Sequence, residues 1–565
     1  MPHHHHEGKK FENFVFNILN SPSKKLFVIV AVLVALAGSI MMLPTKAVMA
    51  RMLPGKSANT FNVYVTTPAG SSIEETKKVS QCVVDKLIKE SAVTDVETFL
   101  AQGAPLDYAG LVKGSALKQG ERFSEIVVNL TDKHTRDEAS FTMVHRIRPE
   151  IQKSCEKLVK GSTIAFVEMP SGPPTLASIA VEVYGEKNEG VLKVAADVAK
   201  ILKKTPKLVD VDIMSETPYD RYKLIPLSDK IAKSGLSVDQ VNNILYLAFK
   251  GMQVAVKNTI ELNDQVGIFV SLSRDSKMLD NSTLQTLNAK LSSLYLMNKQ
   301  GMMIPLTEIV DIVKVKSTPT IYHKDLKTMV NVVAETDMES QVYPLLEARD
   351  MMIEYFSKNG YEVSKVPGIT TFMFDLNLKD KKTGENFLLR WDGEMKVTLD
   401  TFRDLGAAFI AALILIYLLL VIYYKSFAIS SIVLAGSFLS IIGVIVGHWV
   451  ADLVTVNVFF LTATSLIGFI ALMGISSRNS LLLIDFAKSL MQDKGIEKRR
   501  AIAIASATRA KPIMLTAIAI ILGSALLASD PIFGGLGVAL ISGTVAAVIV
   551  SLIFIPVLMD NTKAI

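Results

Sequence analysis

Six long apolar segments are the feature that most constrains the fold of this chain. One lies near the N-terminus and five lie close together near the C-terminus. Each is about long enough to cross the ~30 Å hydrocarbon core of a bilayer as an α-helix. The predicted spans are residues 26–43, 404–424, 429–449, 462–487, 512–528 and 535–558. The sequence therefore predicts an α-helical membrane bundle of six transmembrane helices, with residues 404–558 holding five of them.

Residues 44–403, between the first and second spans, are too polar to cross a bilayer. Across the chain, 50% of residues are hydrophobic and 20% are charged, a combination that fits a division between lipid and water better than one uniform globule. The net charge of +6 is mild, and no basic cluster with interleaved aromatic residues is present, so nucleic acid is not a predicted partner.

Lysines at the N-terminal end set the predicted orientation. Lys9, Lys10, Lys24 and Lys25 precede the first span, which places residues 1–25 in the cytoplasm. Residues 44–403 then lie outside the cytoplasm, and six crossings return the basic segment 488–511 and the tail 559–565 to the inside. The histidine run near the N-terminus resembles an expression tag and carries no functional argument.

The polar stretch alternates between strand-like and helix-like patterns, which predicts α+β subdomains built of βαβ repeats. Ser72 and Glu75 have the spacing of a capping box at the start of one helix. The predicted strands are 60–67, 123–130, 177–184, 208–213 and 326–334, and the predicted helices are 72–91, 136–158, 191–203 and 343–357.

The two cysteines, Cys82 and Cys155, fall in the part predicted to lie outside the cytoplasm, where oxidation is possible. Each lies within a predicted helix, and their spacing does not require that they pair. We expect two small core residues rather than a disulfide.

Five sets of residues, in order along nearly the whole chain, resemble the hydrophobe/amphiphile efflux branch of the RND superfamily. The resemblance is to the C-terminal half of such a pump, since a full pump is about twice as long. The matching stretches are 52–54 with 68–76, 172–174 with 181–185, 234–241, 304–310, and a membrane block from 391–394 through 474–480 to 530–533.

The resemblance implies a trimeric secondary transporter, driven by proton influx, in the bacterial inner membrane. It implies export of amphiphilic compounds through a periplasmic adaptor protein and an outer-membrane channel. By order along the chain, porter domains are expected at about 59–214 and 318–374, with a docking domain at about 219–315. Within the docking domain, residues 251–264 are expected to form an extended arm or hairpin that reaches a neighbouring subunit.

Arg478 is the leading candidate for proton coupling. It precedes Lys488 by ten residues, hence lies about 15 Å further into the membrane, where a charge is costly and functional by default. It matches the RND position where a lysine usually contacts a carboxylate pair. Because arginine keeps its proton, it could exchange partners but not carry a proton. A purely structural ion pair is the alternative, and Asn479 and Ser480 beside it could bond across helices or to their own backbone.

Three further candidates have plain structural alternatives. Asp485 lies two helical turns after Arg478, but a local ion pair with Lys488 at the membrane boundary is the favoured interpretation. Arg509 and Thr516 match an Arg and a Thr of the RND proton path, although Arg509 also fits an ordinary cytoplasmic anchor. His448 beside Trp449 is expected to lie at the membrane interface.

No metal-ligand spacing, methionine pair or phosphate-binding loop appears, so no cofactor is predicted, ATP is not the visible energy source, and a heavy-metal pump is not favoured. No buried carboxylate pair appears in the spans either. One hypothesis is that an N-terminal-half polypeptide or domain supplies an aspartate pair. The alternatives are a non-transporting assembly or scaffold subunit, and a translocation aid resembling SecD and SecF.

Overall fold

The computed structural model describes residues 4–55, 57–115, 118–168, 172, 175–263, 265–273, 276, 284–367, 374–455 and 459–563. The chain separates into two compact units, one formed by Met1–Ser215 with Ile321–Ile565 and the other by Glu216–Thr320. The first unit begins with two helices, α1 (His4–Asn20) and α2 (Pro22–Met41). Helix α1 packs on the membrane helices, because its residues Val15, Ile18 and Leu19 are buried in their core.

The first subdomain is a βαββαβ fold. Its four antiparallel strands have the order β2-β3-β1-β4, with α3 and α5 against one face of the sheet. The elements are β1 (Thr60–Thr66), α3 (Ile73–Leu87), β2 (Val93–Leu100), α4 (Tyr108–Lys113), β3 (Phe123–Leu130), α5 (Ser140–Cys155) and β4 (Thr163–Val167). Alternation along β1 places Phe61, Val63 and Val65 in the core under the helices. The predicted capping box is confirmed, since Ser72 and Glu75 exchange both hydrogen bonds.

A disulfide joins Cys82 on α3 to Cys155 on α5, with a Cα–Cα distance of 5.7 Å. The expectation of two unpaired core residues was therefore wrong. The two helices pack side by side on one sheet face, and each cysteine lies on the side that meets the other helix. Because the two cysteines are 73 residues apart in sequence, their spacing does not show that they lie close together in the fold.

Removing the disulfide should destabilise the first subdomain. Closing a loop of this length contributes about 4 kcal/mol through the entropy of the unfolded chain. For the double variant Cys82→Ser/Cys155→Ser, we expect the unfolding midpoint of purified protein to fall by roughly 10 °C or more. Ser154→Ala is the control beside the bridge. An unchanged midpoint for the double variant, or for the parent under reductant, would show that the bridge adds nothing.

The second subdomain repeats the βαββαβ pattern, with the antiparallel order β6-β14-β5-β17 and a hairpin, β16 and β15, added beyond β17. Its largest buried side chain is Trp391, on the strand that leads into the membrane. The elements are β5 (Ile179–Gly185), α6 (Asn188–Lys204), β6 (Leu208–Ile213), β13 (His323–Lys324), β14 (Lys327–Thr336), α11 (Val342–Lys358), β15 (Tyr361–Lys365), β16 (Leu376–Asp380) and β17 (Asn386–Asp392).

The unit Glu216–Thr320 is inserted in sequence between β6 and β13. Its elements are β7 (Asp220–Pro226), α7 (Ser228–Lys233), α8 (Val238–Leu245), β8 (Met252–Lys257), β9 (Val266–Val270), α9 (Leu284–Ser292), β10 (Tyr295–Met297), β11 (Met303–Pro305), α10 (Leu306–Ile309) and β12 (Val310–Lys316). Strands β8 and β9 pair as an antiparallel hairpin, and every residue of both is exposed. The predicted hairpin is thus present, although Asp264 lies outside the described residues. Its contact with a neighbouring subunit stays a prediction.

In the described ranges, six helical segments are long and apolar enough to cross a membrane: Pro22–Met41, Glu394–Tyr424, Phe427–Val454, Ala463–Lys494, Lys498–Ala528 and Gly534–Asn561. The helices after residue 393 are α12 (Glu394–Tyr424), α13 (Phe427–Phe438), α14 (Ile441–Val454), α15 (Ala463–Lys494), α16 (Lys498–Ala528), α17 (Gly534–Ile549) and α18 (Ile555–Asn561). Helices α13 and α14 form one segment, and so do α17 and α18. The predicted helix start at Thr462 is confirmed, because its hydroxyl caps α15.

The predicted basic loop 488–511 is much shorter in the structure. Helix α15 continues to Lys494, Gly495 ends it in the left-handed conformation, and α16 begins at Lys498. The sequence pattern had suggested that Pro512 starts the next helix, but Pro512 lies inside α16. Buried small residues hold that first part of α16 in the bundle, which outweighs the local preference of proline: Ala501, Ala503, Ala505 and Ser506.

Candidate proton-coupling site in the membrane helices

Helix α15 has one face that packs on the rest of the chain and one that does not. The exposed residues recur at intervals of three or four, as one stripe along the helix: Ile467, Ala471, Gly474, Arg478 and Leu482. The opposite face is buried against the bundle and includes Leu472, Ser476 and Leu483. Arg478 therefore points away from the interior formed by this chain's own helices, rather than into it.

Arg478 has no hydrogen bond and no ion pair with any residue in the described part of the chain. The stripe around it is narrow, and a Cβ added to Gly474 would meet nothing within 4 Å. Another helix could therefore approach closely on this side. The geometry suits an ion pair across such a helix contact.

Asp452, Asp493 and Asp560, three carboxylates of the spanning helices, are engaged within this chain. Asp452 accepts a hydrogen bond from the Phe459 amide at 2.7 Å, and Asp493 accepts one from the Ser489 hydroxyl at 2.7 Å. Asp560 is paired with Lys25 and Arg499. None of these groups is placed to neutralise Arg478.

The predicted neighbours of Arg478 lie on the packed side of α15. Asn479 and Ser480 are both buried. The Ser480 hydroxyl donates to the Ser476 carbonyl at 3.4 Å, so it bonds to the backbone of its own helix rather than across helices. Neither residue shares the exposed stripe with Arg478.

Asp485 does not form the expected ion pair with Lys488. Its carboxylate accepts a hydrogen bond from the Tyr423 hydroxyl on α12 at 3.2 Å. The Lys488 ammonium instead lies over the ring of Tyr424, 5.1 Å from its centre. Each charge thus contacts one of the two tyrosines that end α12, and contacts between separate helices cannot be inferred from sequence spacing.

Arg509 and Thr516 lie on the same helix, two turns apart, with different surroundings. The Arg509 guanidinium stacks 4.9 Å from the ring centre of Phe486 on α15, beside Asp485, and its Nε is buried without a hydrogen-bond partner. The Thr516 hydroxyl donates to the carbonyl of Pro512 at 2.7 Å. This is the usual bond of a helical threonine to the carbonyl four residues before it. Arg509 thus contacts α15 at the residue next to Asp485, whereas Thr516 bonds within its own helix.

His448 lies inside the bundle, so its expected interfacial position is wrong. It is buried, one ring nitrogen lies 2.8 Å from the Ser465 hydroxyl of α15, and the other lies 2.7 Å from the Val444 carbonyl. Only its neighbour Trp449 is partly exposed. The signal in the sequence was the run of small and apolar residues one turn before His448, which marks a packed helix face.

Sequence reasoning also missed a group of buried hydroxyls in the bundle. In the described part of the membrane helices, these have no hydrogen-bond partner, whereas buried hydroxyls ordinarily bond to protein or water. They are Ser476 on α15, Ser506 on α16, Thr544 on α17 and Ser551 in the π-helical segment that joins α17 to α18. No group of three or more His, Cys, Asp or Glu residues that could hold a metal ion occurs among the residues described.

The chain matches known proteins over most of its length. The model of the AcrB/AcrD/AcrF family matches residues 4–364 and 366–560. Swarming motility protein SwrC of Bacillus subtilis (strain 168) is 22% identical over 568 residues, which cover 98% of this chain and 47% of that protein. Multidrug export protein AcrF of Escherichia coli (strain K12) is 22% identical over 562 residues, which cover 98% of this chain and 49% of that protein. The chain thus spans about half the length of these relatives.

A crystal structure of a heavy metal efflux pump has the same fold, with a TM-score of 0.72 and 17% sequence identity. The similarity covers 100% of this chain and 53% of that one. At this identity the likeness extends to the fold and not to the substrate. Of the motifs that suggested the RND resemblance, Pro173 and Pro174 lie outside the described residues.

Proposed function

Because this chain belongs to the AcrB/AcrD/AcrF family of RND efflux transporters, we propose that it forms the second half of a proton-driven pump that exports amphiphilic compounds. Members of such families are secondary active transporters rather than enzymes. The observation that carries the proposal is Arg478, a permanently charged group on a membrane helix face that no other part of the described chain covers.

The cost of an unpaired charge supports this proposal. An arginine near the centre of a spanning helix costs about 2.5–3.5 kcal/mol on insertion scales, and more by other estimates. A carboxylate pair on the facing helix of an N-terminal half would offset that cost. The narrow stripe beside Gly474 leaves room for that helix.

Arg478 then acts as a fixed positive charge rather than as a proton carrier. When the facing carboxylates are ionised, they pair with its guanidinium, and when protons enter from outside, that pairing weakens. The two helices exchange between two arrangements as protons bind and leave. Asp485, near the inner end of α15, and Arg509, which stacks on the adjacent Phe486, lie where a released proton would reach the cytoplasm. Thr516, Asn479 and Ser480 supply polar groups along the helices.

The remaining parts have corresponding roles in the proposal. The bundle lies in the bacterial inner membrane. The two βαββαβ subdomains together form the periplasmic porter part, which residues about 59–214 and 318–374 supply jointly. The inserted unit, at about 219–315, serves as the docking domain. Its exposed hairpin β8–β9 reaches a neighbouring subunit of a trimer, and the assembly meets a periplasmic adaptor protein and an outer-membrane channel. The disulfide Cys82–Cys155 supports an oxidising compartment for the first subdomain.

A transport measurement tests this function. The complete assembly, reconstituted in vesicles with a fluorescent amphiphile, should export the dye when an inward proton gradient is imposed. A protonophore should stop the export, and ATP without a gradient should not drive it. An export rate that is the same with and without the gradient, or a complete assembly that exports no dye, would favour the scaffold or translocation-aid alternatives.

A further inference from the structure

Residues 42–52, which we call the strap, lie between three parts of the first unit. They follow α2 and lead to the first βαββαβ subdomain, whose strand β1 begins at Thr60. The strap has turns and one isolated β-bridge but forms no helix or longer strand. Backbone groups that leave water must find partners elsewhere, so the partners of the strap show what it is fixed to. They belong to the membrane bundle and to the second subdomain.

Three backbone hydrogen bonds join the strap to the residues at the start of α15. They run from the Leu461 amide to the Met49 carbonyl at 2.9 Å, from the Arg51 amide to the Leu461 carbonyl at 3.0 Å, and from the Ala463 amide to the Met52 carbonyl at 3.1 Å. This is a short parallel ladder, with Ala50 opposite Leu461. The Ala463 amide is one of the donors that a helix leaves free at its start. Because α15 also carries Arg478, the strap is bonded directly to the start of the helix that holds the proposed coupling charge.

Side chains of the strap add a second attachment to the bundle. Val48 is 2% exposed and lies in a core formed with residues of α14, α15 and α17, among them Val444, Leu472 and Ala539. The Arg51 guanidinium lies over the ring of Phe460, 5.6 Å from its centre. Close-packed side chains transmit displacement because they leave no space to absorb it. A shift of the start of α15 therefore moves the strap as well.

Hydroxyl groups of the second subdomain hold the strap from its other side. The Ser340 hydroxyl donates to the Ala50 carbonyl and accepts a hydrogen bond from the Val342 amide at 3.3 Å. The Tyr343 hydroxyl donates to the Leu43 carbonyl at 2.9 Å. Ser340 is 0% exposed, and Val342 is the first residue of α11, which lies in the core of the second subdomain. Ala50 is thus held by the start of α15 on one side and by the start of α11 on the other.

A second connection between the bundle and the second subdomain is looser. Strand β17 leads directly into α12, but only Met395, Thr398 and Leu420 of that helix are buried in this chain. Most of α12 therefore does not pack on the bundle, and it gives α15 a weaker hold on the second subdomain than the strap does.

We propose that the strap transmits the movement of α15 to the second subdomain, with Ser340 as the positioning residue through which that movement reaches α11. The inference rests on the proposed function, in which α15 shifts when the facing carboxylates gain or lose protons. The path runs from Arg478 along α15 to Leu461, across the ladder to Ala50, and through one hydroxyl to α11. Packed side chains and hydrogen bonds in series form the kind of contiguous network that carries coupling between distant sites.

Ser340→Ala should uncouple proton entry from export. The variant leaves the groups around Arg478 unchanged, so protons still enter, but α11 loses its bond to the strap. In vesicles that contain the complete assembly, we expect the number of protons that enter per exported dye molecule to rise about tenfold, as for the loss of one buried hydrogen bond. Ser357→Ala, at an exposed position near the far end of α11, is the control and should keep the parental ratio. A purely structural role for Ser340 would lower proton entry and export together.

Amide exchange tests the link without transport. Because Ala50 is held from both sides, losing the Ser340 bond should loosen the ladder as well. We expect deuterium exchange of the Arg51 amide, which donates to the Leu461 carbonyl, to become about tenfold faster in Ser340→Ala. Tyr343→Phe removes the other hydroxyl and should change both quantities in the same direction. It replaces Ser340→Ala in both measurements if that variant does not fold.

Faster exchange of the Arg51 amide together with a raised proton-to-dye ratio supports the link. Parental exchange in a folded Ser340→Ala assembly overturns it, and so does a parental ratio in an assembly that exports dye. A parental assembly that exports no dye would contradict the proposed function instead, and the exchange of the Arg51 amide then decides the link by itself.

Discussion

Replacing Arg478 with alanine is expected to abolish proton-coupled export by the assembled pump while leaving insertion of the chain intact. The side chain lies on the uncovered stripe of α15 and has no partner in the described part of its own chain, so its removal breaks no contact that holds this bundle together. It would, however, leave the facing carboxylates without a positive charge. Their pKa values would then rise, and they would stay protonated through the cycle.

Arg478→Lys should retain part of the activity, because an ammonium still pairs with a carboxylate but lacks the planar fork of the guanidinium. Leu482→Ala is the matched control, one turn further along the same stripe and 40% exposed. We expect that variant to export at close to the parental rate. Gradient-driven dye export gives the comparison. Parental export by Arg478→Ala would mean that the arginine is a passive anchor and that coupling lies elsewhere.

Much of the architecture could be predicted from periodicity, because burial dictates it. Strand 60–67 and helix 191–203 match β1 and α6 within a few residues, and the caps at Ser72 and Thr462 follow from hydrogen-bonding residues at the start of an apolar run. The spans could be predicted for the same reason, since a helix in lipid needs a continuous apolar surface.

What the sequence could not show depends on contacts between distant elements. The bond between Cys82 and Cys155 requires that α3 and α5 lie together on one sheet face. The interior position of His448 depends on the start of α15, and the hydroxyl that donates to Asp485 belongs to α12. The prediction that a helix starts at Pro512 was wrong, because buried packing along α16 outweighs the preference of proline for the start of a helix.

The candidate site was predictable in identity but not in orientation. A single arginine within an apolar span is unusual, because burying a charge in a membrane is costly, and this predicts a functional role for Arg478. Its direction, outward from this chain's own bundle, follows only from which face of α15 packs on the neighbouring helices.

The second large effect that we expect on export concerns the carboxylates that would pair with Arg478. Asp485, Asp452, Asp493 and Asp560 of the spanning helices contact tyrosine, backbone, serine or basic groups of the same chain. None of these four forms a buried pair that could accept protons opposite Arg478. This polypeptide without further sequence should therefore insert and fold but show no proton-coupled export. Co-expression with an N-terminal half that carries an aspartate pair should restore export, since it supplies both the titrating groups and the helix that covers the stripe.

The most direct test compares vesicles that contain this polypeptide alone, vesicles that contain it with such an N-terminal half, and vesicles in which that half has Asn in place of both aspartates. The measured quantity is the initial rate of dye export under an inward proton gradient. We predict a rate above background only when both halves and the aspartate pair are present. Export by this polypeptide alone at the rate of the combined halves would contradict the account, because coupling would then need no partner for Arg478.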